Sequence, residues 1–366
     1  MEDSTPIDGR KLRYQHRRAE LLGQVTAYVT ANGVGELSMR PLAKDLGISH
    51  ATLIHHFGSK EQLLTEVVAT LRDSSSLDIS SGTDIVEMLT SYWNRRTSAE
   101  SGDYPYLGRW LSEGYAVVAT DYVGLGTPGL MPYLDGKVEA HSVVDSVKAA
   151  RVIDSSISNR WAVVGQSQGG GAAITTARYA TEYGGDSLDY RGGVGTGVPA
   201  NIELTLLPAG PGFPPIALGG GLTSYALYIL AGLREAHPEI DLNSYLNDLG
   251  REKVDSAEKL CAADLDEASK DLVLGDIFSR PLSQIPNFQG LLNDYMGVPT
   301  SGYDRPIFIG QGLLDVDVPA PSALSLVAAL VANGEPVTFK TYNTDHSGAL
   351  VESQADTIPF VANLFR

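Results

Sequence analysis

The chain has 366 residues, 43% of them apolar and 19% charged, which gives ample core, excludes wholesale disorder and makes two domains the expectation. A single cysteine, Cys261, rules out an intramolecular disulfide and a cysteine-cluster metal site; no run of about 18 apolar residues could span a bilayer, and residues 1–18 lack the apolar stretch of a secretory signal, so a soluble, cytoplasmic protein is expected. The net charge of −17 is unevenly spread: residues 9–72 hold nine basic and five acidic side chains, so a mildly basic head precedes a strongly acidic body.

In the head, Leu21, Leu22, Val25 and Val29 recur at helical spacing over 17–29, and Asn32-Gly33 supplies a left-handed stop. Ser38 reads as the N-cap of a short helix, 39–46, with Leu42, Ala43 and Leu46 inward. Gly47 breaks it, and Ser49 caps a third helix running to about Phe57. Ser59 caps a fourth, with Gln62 as its capping-box partner and Leu63, Leu64, Val67 and Val68 as its apolar face. Two short helices around a Gly-centred turn make a helix-turn-helix, whose second helix can enter a DNA major groove. A small helical bundle without a ligand is the plainer alternative.

The run L-S-M-R-P-L-A-K-D-L-G-I-S-H-A-T-L-I-H-H-F-G-S-K-E-Q-L-L resembles the N-terminal DNA-binding domain of the TetR family of regulators, over about residues 10–72. The resemblance implies that Ser49, His50, Thr52 and His55 lie on the recognition helix. It also implies that Arg40, His56 and Lys60 sit near the phosphates of double-stranded DNA. The pattern departs at Ile54, where the family usually carries an aromatic that touches the DNA backbone. The cluster Arg10, Lys11, Arg13, Arg17 and Arg18 reads either as sequence-independent phosphate attraction or as a solvated helix face.

Residues 73–83, D-S-S-S-L-D-I-S-S-G-T, read as a flexible linker or a kinked connection, and 84–96 return to helical periodicity through Ile85, Met88, Leu89 and Trp93. The TetR resemblance implies a helical effector and dimerisation domain at this point. Only one or two such helices fit before the pattern changes near Leu107, so the usual dimer interface is expected to be missing and a homodimer stays an open alternative.

The body alternates strand and helix. A short helix, 107–113, leads into the β-branched run Y-A-V-V-A-T-D at 115–121, which reads as a buried parallel strand. A helix at 142–153, a strand at 161–165, a helix at 172–183 and strands at 192–198, 306–310 and 337–342 follow. The alternation implies a doubly wound, mostly parallel sheet. Residues 201–300 interrupt it, opening Pro/Gly-rich and turning helical around Tyr225, Tyr228, Leu230 and Leu233. They read as an insertion on the sheet, either a cap or a packed accessory bundle. The G-V-G-T-G at 193–197 is no dinucleotide loop, because Val198 stands where the last glycine is needed. No cofactor and no metal are expected.

Gly165-Gln-Ser167-Gln-Gly169 is a G-x-S-x-G nucleophile elbow framed by a strand and a helix. The turn presents Ser167 Oγ at a helix N-terminus, where free amides favour developing negative charge. A hydroxyl nucleophile needs a base, and the base needs a carboxylate to orient it. Of the two histidines that follow, His237 precedes Pro238 in an acidic helical insertion and reads as a surface residue. His346 follows a strand in T-D-H-S-G and is the expected base. In G-L-L-D-V-D-V-P, also after a strand, Asp315 is the expected acid and Asp317 the fallback; Asp345 is expected to serve its own loop.

These segments, with G-Y-A-V-V-A-T-D-Y-V-G-L-G-T-P-G, resemble the secretory lipase family of α/β hydrolases over about residues 106–366. The resemblance implies hydrolysis of acylglycerols or other acyl esters, with Ser167 attacking the carbonyl, His346 moving the proton and Asp315 holding the imidazole. The backbone amide of Gln168 would give half of the oxyanion hole. The family's first strands and its second oxyanion loop, often His-Gly, would precede residue 115, where the head stands instead; no His-Gly pair occurs. The expected organisation is therefore a TetR-like all-α head (10–73), a helical join (74–105) and a hydrolase-like body (106–366) lacking its first strands, with the cap at about 201–300. Three readings stay open: an esterase carrying a DNA-binding head, a regulator whose body senses an acyl ligand without turnover, and a fusion with neither activity. No stable membrane insertion is expected.

Overall fold

The computed structural model describes residues 9–32, 39–59, 62, 63, 66, 103–125, 127, 129–213 and 222–366. They fall into two compact units, Met1–Val117 and Val118–Arg366.

In the first unit, α1 (Gly9–Asn32), α2 (Met39–Asp45) and α3 (His50–Phe57) carry the head. Ser49 caps α3 by accepting the Thr52 N–H at 3.0 Å. Ser59 and Gln62 form the reciprocal capping box, each side chain accepting the other's backbone N–H at 3.2 Å. Leu21, Val25, Leu42, Ala43, Leu53, Phe57 and Leu63 close into one buried core. Full burial of each large side chain here is worth roughly 1.5–3 kcal/mol, so this cluster sets the angle between the short helices. Helix α4 (Asp103–Ser112) buries Tyr106 and Trp110 edge to face, with ring centroids 6.0 Å apart. The rest of the fourth helix, the linker at 73–83 and the helix expected at 84–96 lie outside the described residues.

In the second unit, α5 (Gly136–Ile153) leads to β1 (Arg160–Gln166), α6 (Gln168–Gly184) and β2 (Asp189–Thr196). An insertion with α7 (Leu222–Ala236), α8 (Asp248–Ala257), α9 (Ala262–Ser269) and α10 (Phe288–Met296) follows. The chain then returns through β3 (Ile307–Gly312), α11 (Ala320–Ala332), β4 (Val337–Tyr342), α12 (His346–Glu352) and α13 (Gln354–Leu364). The four strands form one parallel sheet in the order β1-β2-β3-β4. On β3 the period-2 alternation sends Ile307 and Ile309 into a cluster with Ile174 of α6 and Leu326 and Leu330 of α11. Phe308 points the other way and packs on Phe360 of α13. Helices therefore cover both faces, as a parallel sheet requires.

Two expectations change. The run at 115–121 makes no strand; it is extended without a ladder, and Val117 and Val118 are 36% and 40% exposed. Its β-branched side chains favour a pleated surface, but a strand exists only with a partner, and β1 pairs with β2 alone among the described residues. Helix α6 begins at Gln168 rather than 172, so the glycines that read as turn are helical. Packing explains this: a Cβ on Gly170 would lie 2.6 Å from the Thr196 carbonyl oxygen, and one on Gly165 would lie 1.9 Å from that of Gly169. Only glycine lets α6 start this close to the strands, and tertiary fit overrides its poor helix propensity.

The insertion has its own core, with Leu227, Leu230, Leu233, Leu242, Leu246 and Leu265 buried together. It is tied to α5 by the Lys137–Asp294 ion pair, and to the segment leading into α5 by Tyr295 Oη, which donates to the Tyr133 carbonyl at 3.0 Å.

Candidate active site

Parallel registration brings the chemistry to one edge. Gln166 pairs with Thr196, Thr196 with Gly310, and Gly312 with Tyr342, so the turns after all four strands open at the C-terminal end of the sheet, where α/β sites form. Ser167 follows β1, Gly197 follows β2, Asp315 follows β3 and His346 follows β4.

Ser167 has φ +57° and ψ −123°, a conformation that costs a residue with a Cβ about 1–2 kcal/mol. Its N–H donates to the Thr196 carbonyl at 2.9 Å and its carbonyl accepts from Gly171 N at 3.0 Å, so strand and helix together impose the turn. Ser167 Oγ makes no capping bond to α6. Gln168 is the first helical residue, and its N–H has no intrahelical acceptor.

His346 Nδ1 lies 2.6 Å from Asp315 Oδ2. The other carboxylate oxygen accepts the N–H groups of Asp317 at 3.0 Å and Val318 at 2.8 Å, while Gln311 Nε2 donates to Oδ2 at 3.2 Å. Asp315 is thus a buried, fully partnered carboxylate facing one imidazole edge. Burial works against a charged His346, but the Asp315 hydrogen bond and the negative charges of Asp315, Asp317 and Asp345 outweigh it and raise its pKa above the ordinary 6.5. Asp317 contributes its backbone amide, and Asp345 caps α12 by accepting Gly348 N at 2.8 Å. His237 sits in the insertion, paired with Glu239 at 2.9 Å.

Several contributors were not visible in the sequence. Gln166 Nε2 donates to the His346 carbonyl at 2.9 Å, and Thr196 Oγ1 donates to Gln166 Oε1, which ties β1 and β2 to the histidine loop. Gly197, at φ +55°, lies under the imidazole: a Cβ there would stand 2.8 Å from His346 Cε1 and 3.0 Å from Nδ1. The G-V-G-T-G signal was present, but its use is to admit a ring rather than a phosphate. Asp315, Asp317 and His346 bring potential ligand atoms within 4.8 Å of one another. The Asp315 oxygens are already committed to imidazole and amide donors, so the set is built as a hydrogen-bonded pair rather than a metal cradle.

In the head, Arg40, His50 and His55 are exposed and Thr52 is half-buried. Ser49 Oγ and Thr52 Oγ1 lie 2.8 Å apart, engaged with each other at the start of α3. His56 stacks on Tyr14 with centroids 4.8 Å apart, and burial first, then the nearby charges of His55, Arg18 and Arg17, lowers its pKa. Arg17 pairs with Glu20, while Arg18 pairs with Glu66, donates to the His56 carbonyl at 3.0 Å and lies over the Phe57 ring. Ile54 is exposed. Lys60 lies outside the described residues.

A doubly covered parallel sheet, with a strained serine and an Asp-His pair at its C-terminal edge, defines a lipase-like α/β fold. The structure is similar to Candida antarctica lipase A, with a TM-score of 0.61 and 20% identity, covering 76% of this chain and 67% of that one. Against the closed state of the same lipase the TM-score is 0.59 at 22% identity, with 74% of this chain and 63% of that one covered. The rice cell wall degrading esterase LipA of Xanthomonas oryzae matches with a TM-score of 0.58 and 19% identity, over 75% of this chain and 76% of that one. No curated protein matches the chain closely enough to count as a relative. The secretory lipase profile matches residues 94–365, and the chain belongs to that family. Residues 29–67 match the profile of bacterial regulatory proteins of the tetR family, so a regulator-type head is joined to a lipase-type body. Among the described residues no helix is long and apolar enough to cross a membrane.

Proposed function

We propose that this protein hydrolyses carboxylic esters of the acylglycerol or simple acyl type, with Ser167 as nucleophile, His346 as general base and Asp315 as the group that orients it. The observation that carries this reading is the 2.6 Å His346–Asp315 contact at the same sheet edge as the strained Ser167. In the proposed reaction His346 Nε2 accepts the Ser167 proton as Oγ attacks the carbonyl, and the Gln168 N–H receives the developing oxyanion. The imidazolium then protonates the departing alcohol, and water, deprotonated by the same imidazole, releases the acid. The names of the neighbours, a lipase and an esterase, favour this class of substrate. Labelling of the full-length protein by a fluorophosphonate, compared with Ser167→Ala, is the test. Labelling and p-nitrophenyl ester turnover that both vanish in the variant support the reading; equal signals in both proteins overturn it.

Turnover is expected to be slow for the fold. Among the described residues β1 has a ladder partner on one side only, which favours a platform short of its first strands and of the second oxyanion donor. Loss of one such donor costs about 10²–10³ in rate.

A second reading, DNA binding by the head and a regulatory role, is favoured by the tetR-family match and by exposed Arg40, His50 and His55 on and beside the helix-turn-helix. It places the protein in the cytoplasm with double-stranded DNA as partner, and its test is given below.

A further inference from the structure

Beside the elbow lies a carboxyl that the proposed mechanism does not use. Glu139, in the first turn of α5, is 2% exposed. Its Oε1 accepts from Nε2 of Gln168 at 2.7 Å, and the carboxyl also accepts the backbone N–H of Leu134. Both tethers end at unusual backbone: Leu134 has φ +65°, and Gln168 directly follows Ser167 at φ +57°. The carboxyl therefore links the entry to α5 with the first residue of α6. Burying a carboxyl is unfavourable unless its partners compensate. A glutamine–glutamate contact between two helices could be replaced by apolar packing if stability alone were at stake.

We propose that Glu139 is a positioning residue of the hydrolytic site, holding the Gln168 side chain so that the Gln168 peptide N–H stays aimed at the oxyanion that forms on attack by Ser167. This rests on the ester-hydrolase reading of that site. The groups around the carboxyl decide its charge. Asp135, the N-cap of α5, adds negative charge; Tyr122, Tyr133 and Tyr295 feel Glu139 as a neighbour, each with its phenol held neutral by burial; Lys137 is turned to Asp294. No cation faces the site among these. Burial accordingly pushes the Glu139 carboxyl up to about 8, with the Gln168 and Leu134 hydrogen bonds opposing and Asp135 reinforcing the shift. At neutral pH the group is an uncharged acid. Above about pH 8 it carries a negative charge next to the residue that must stabilise a second one.

The proposal is tested on the full-length protein with wild type, Glu139→Gln and Glu139→Ala, measuring ester kcat and KM and the fluorophosphonate labelling rate from pH 6 to 10. Wild type is expected to lose kcat and labelling rate on the alkaline side with an apparent pKa near 8 and little change in KM. Glu139→Gln keeps the shape and the hydrogen bond but cannot ionise; it should match wild type at pH 7 and lose the alkaline fall. Glu139→Ala frees Gln168 and should slow labelling at pH 7 by about tenfold or more, with the protein still folded by its thermal transition. An alkaline limb identical in wild type and Glu139→Gln, or full labelling rate in Glu139→Ala, overturns the role of Glu139 while leaving the hydrolase reading intact. No Ser167-dependent labelling of wild type at any pH overturns both.

Discussion

His346 Nδ1 stands 2.6 Å from Asp315 Oδ2, and the carboxylate is completely enclosed while the imidazole keeps 15% of its side chain exposed. An enclosed carboxylate stabilises the imidazolium more than the neutral ring, so the histidine titrates above its ordinary 6.5 even though burial alone would lower it. For activity the sign is plain. In the proposed reaction the base form of His346 is needed for attack, so kcat/KM for an ester should rise with pH through a midpoint above 6.5. For stability the sign is opposite: a raised folded-state pKa gives stabilisation that is fully present below the unfolded value and is lost as pH rises through the folded one. Asp315→Asn should lower kcat by about 10⁴, because the amide can stabilise the wrong tautomer. Asp317→Asn should change it only a few-fold, since that residue offers its backbone N–H. An activity midpoint below 6.5, or equal losses in the two variants, would contradict this assignment.

The residues that set this pair were legible to different degrees. That Ser167, Asp315 and His346 each stand just after a strand could be read because strand periodicity and the Gly-x-Ser-x-Gly spacing are local signals. The caps Ser49 and Ser59 are local too, and both act as caps. What stayed hidden was long-range. The 115–121 run has every local mark of a strand, but pairing depends on a neighbour that no local pattern reveals. Gly197 and Glu139 matter through His346 and Gln168, which lie far along the chain from them. The α5 start at Gly136, earlier than the apolar stripe suggests, is what puts Glu139 on a helix at all.

Gly197→Ala isolates the geometry of the histidine from its chemistry. The added methyl would stand 2.8 Å from His346 Cε1, and the residue would be held at φ +55°. The backbone penalty is about 1–2 kcal/mol, a tolerable loss, whereas a displacement of the ring by about 1 Å costs about 10²-fold in rate. Turnover should therefore collapse in a protein that still melts cooperatively. Full activity with a lowered Tm would show that the ring can move without consequence.

Ser167 offers the reverse test, in which function is removed and stability is gained. Its strain of about 1–2 kcal/mol disappears in Ser167→Gly, while glycine makes the unfolded chain more flexible at a cost of about 0.4–1 kcal/mol. The net lies between zero and a gain of about 1.6 kcal/mol, a rise in Tm of at most roughly 3–6 °C for a unit of this size. Ser167→Ala keeps the strain and should melt near wild type. A glycine variant that melts below the alanine variant would mean that the elbow is not strained in solution.

The head separates two kinds of arginine. Arg40 is exposed in the first turn of α2, whereas Arg18 is spent inside the head on Glu66, the His56 carbonyl and the Phe57 ring. If the head binds duplex DNA, the full-length protein should show an affinity that falls steeply with salt. Arg40→Ala should then weaken binding across sequences and reduce the slope of log K against log salt by about one, as loss of one phosphate contact requires. Arg18→Ala should act differently, through lost packing and hydrogen bonding: it should lower the thermal stability of the head and leave the salt slope of the folded fraction unchanged. Fluorescence anisotropy over a salt series, with melting followed in parallel, reads both effects. A salt-independent affinity, or a slope that Arg18→Ala reduces and Arg40→Ala does not, would overturn this division of labour.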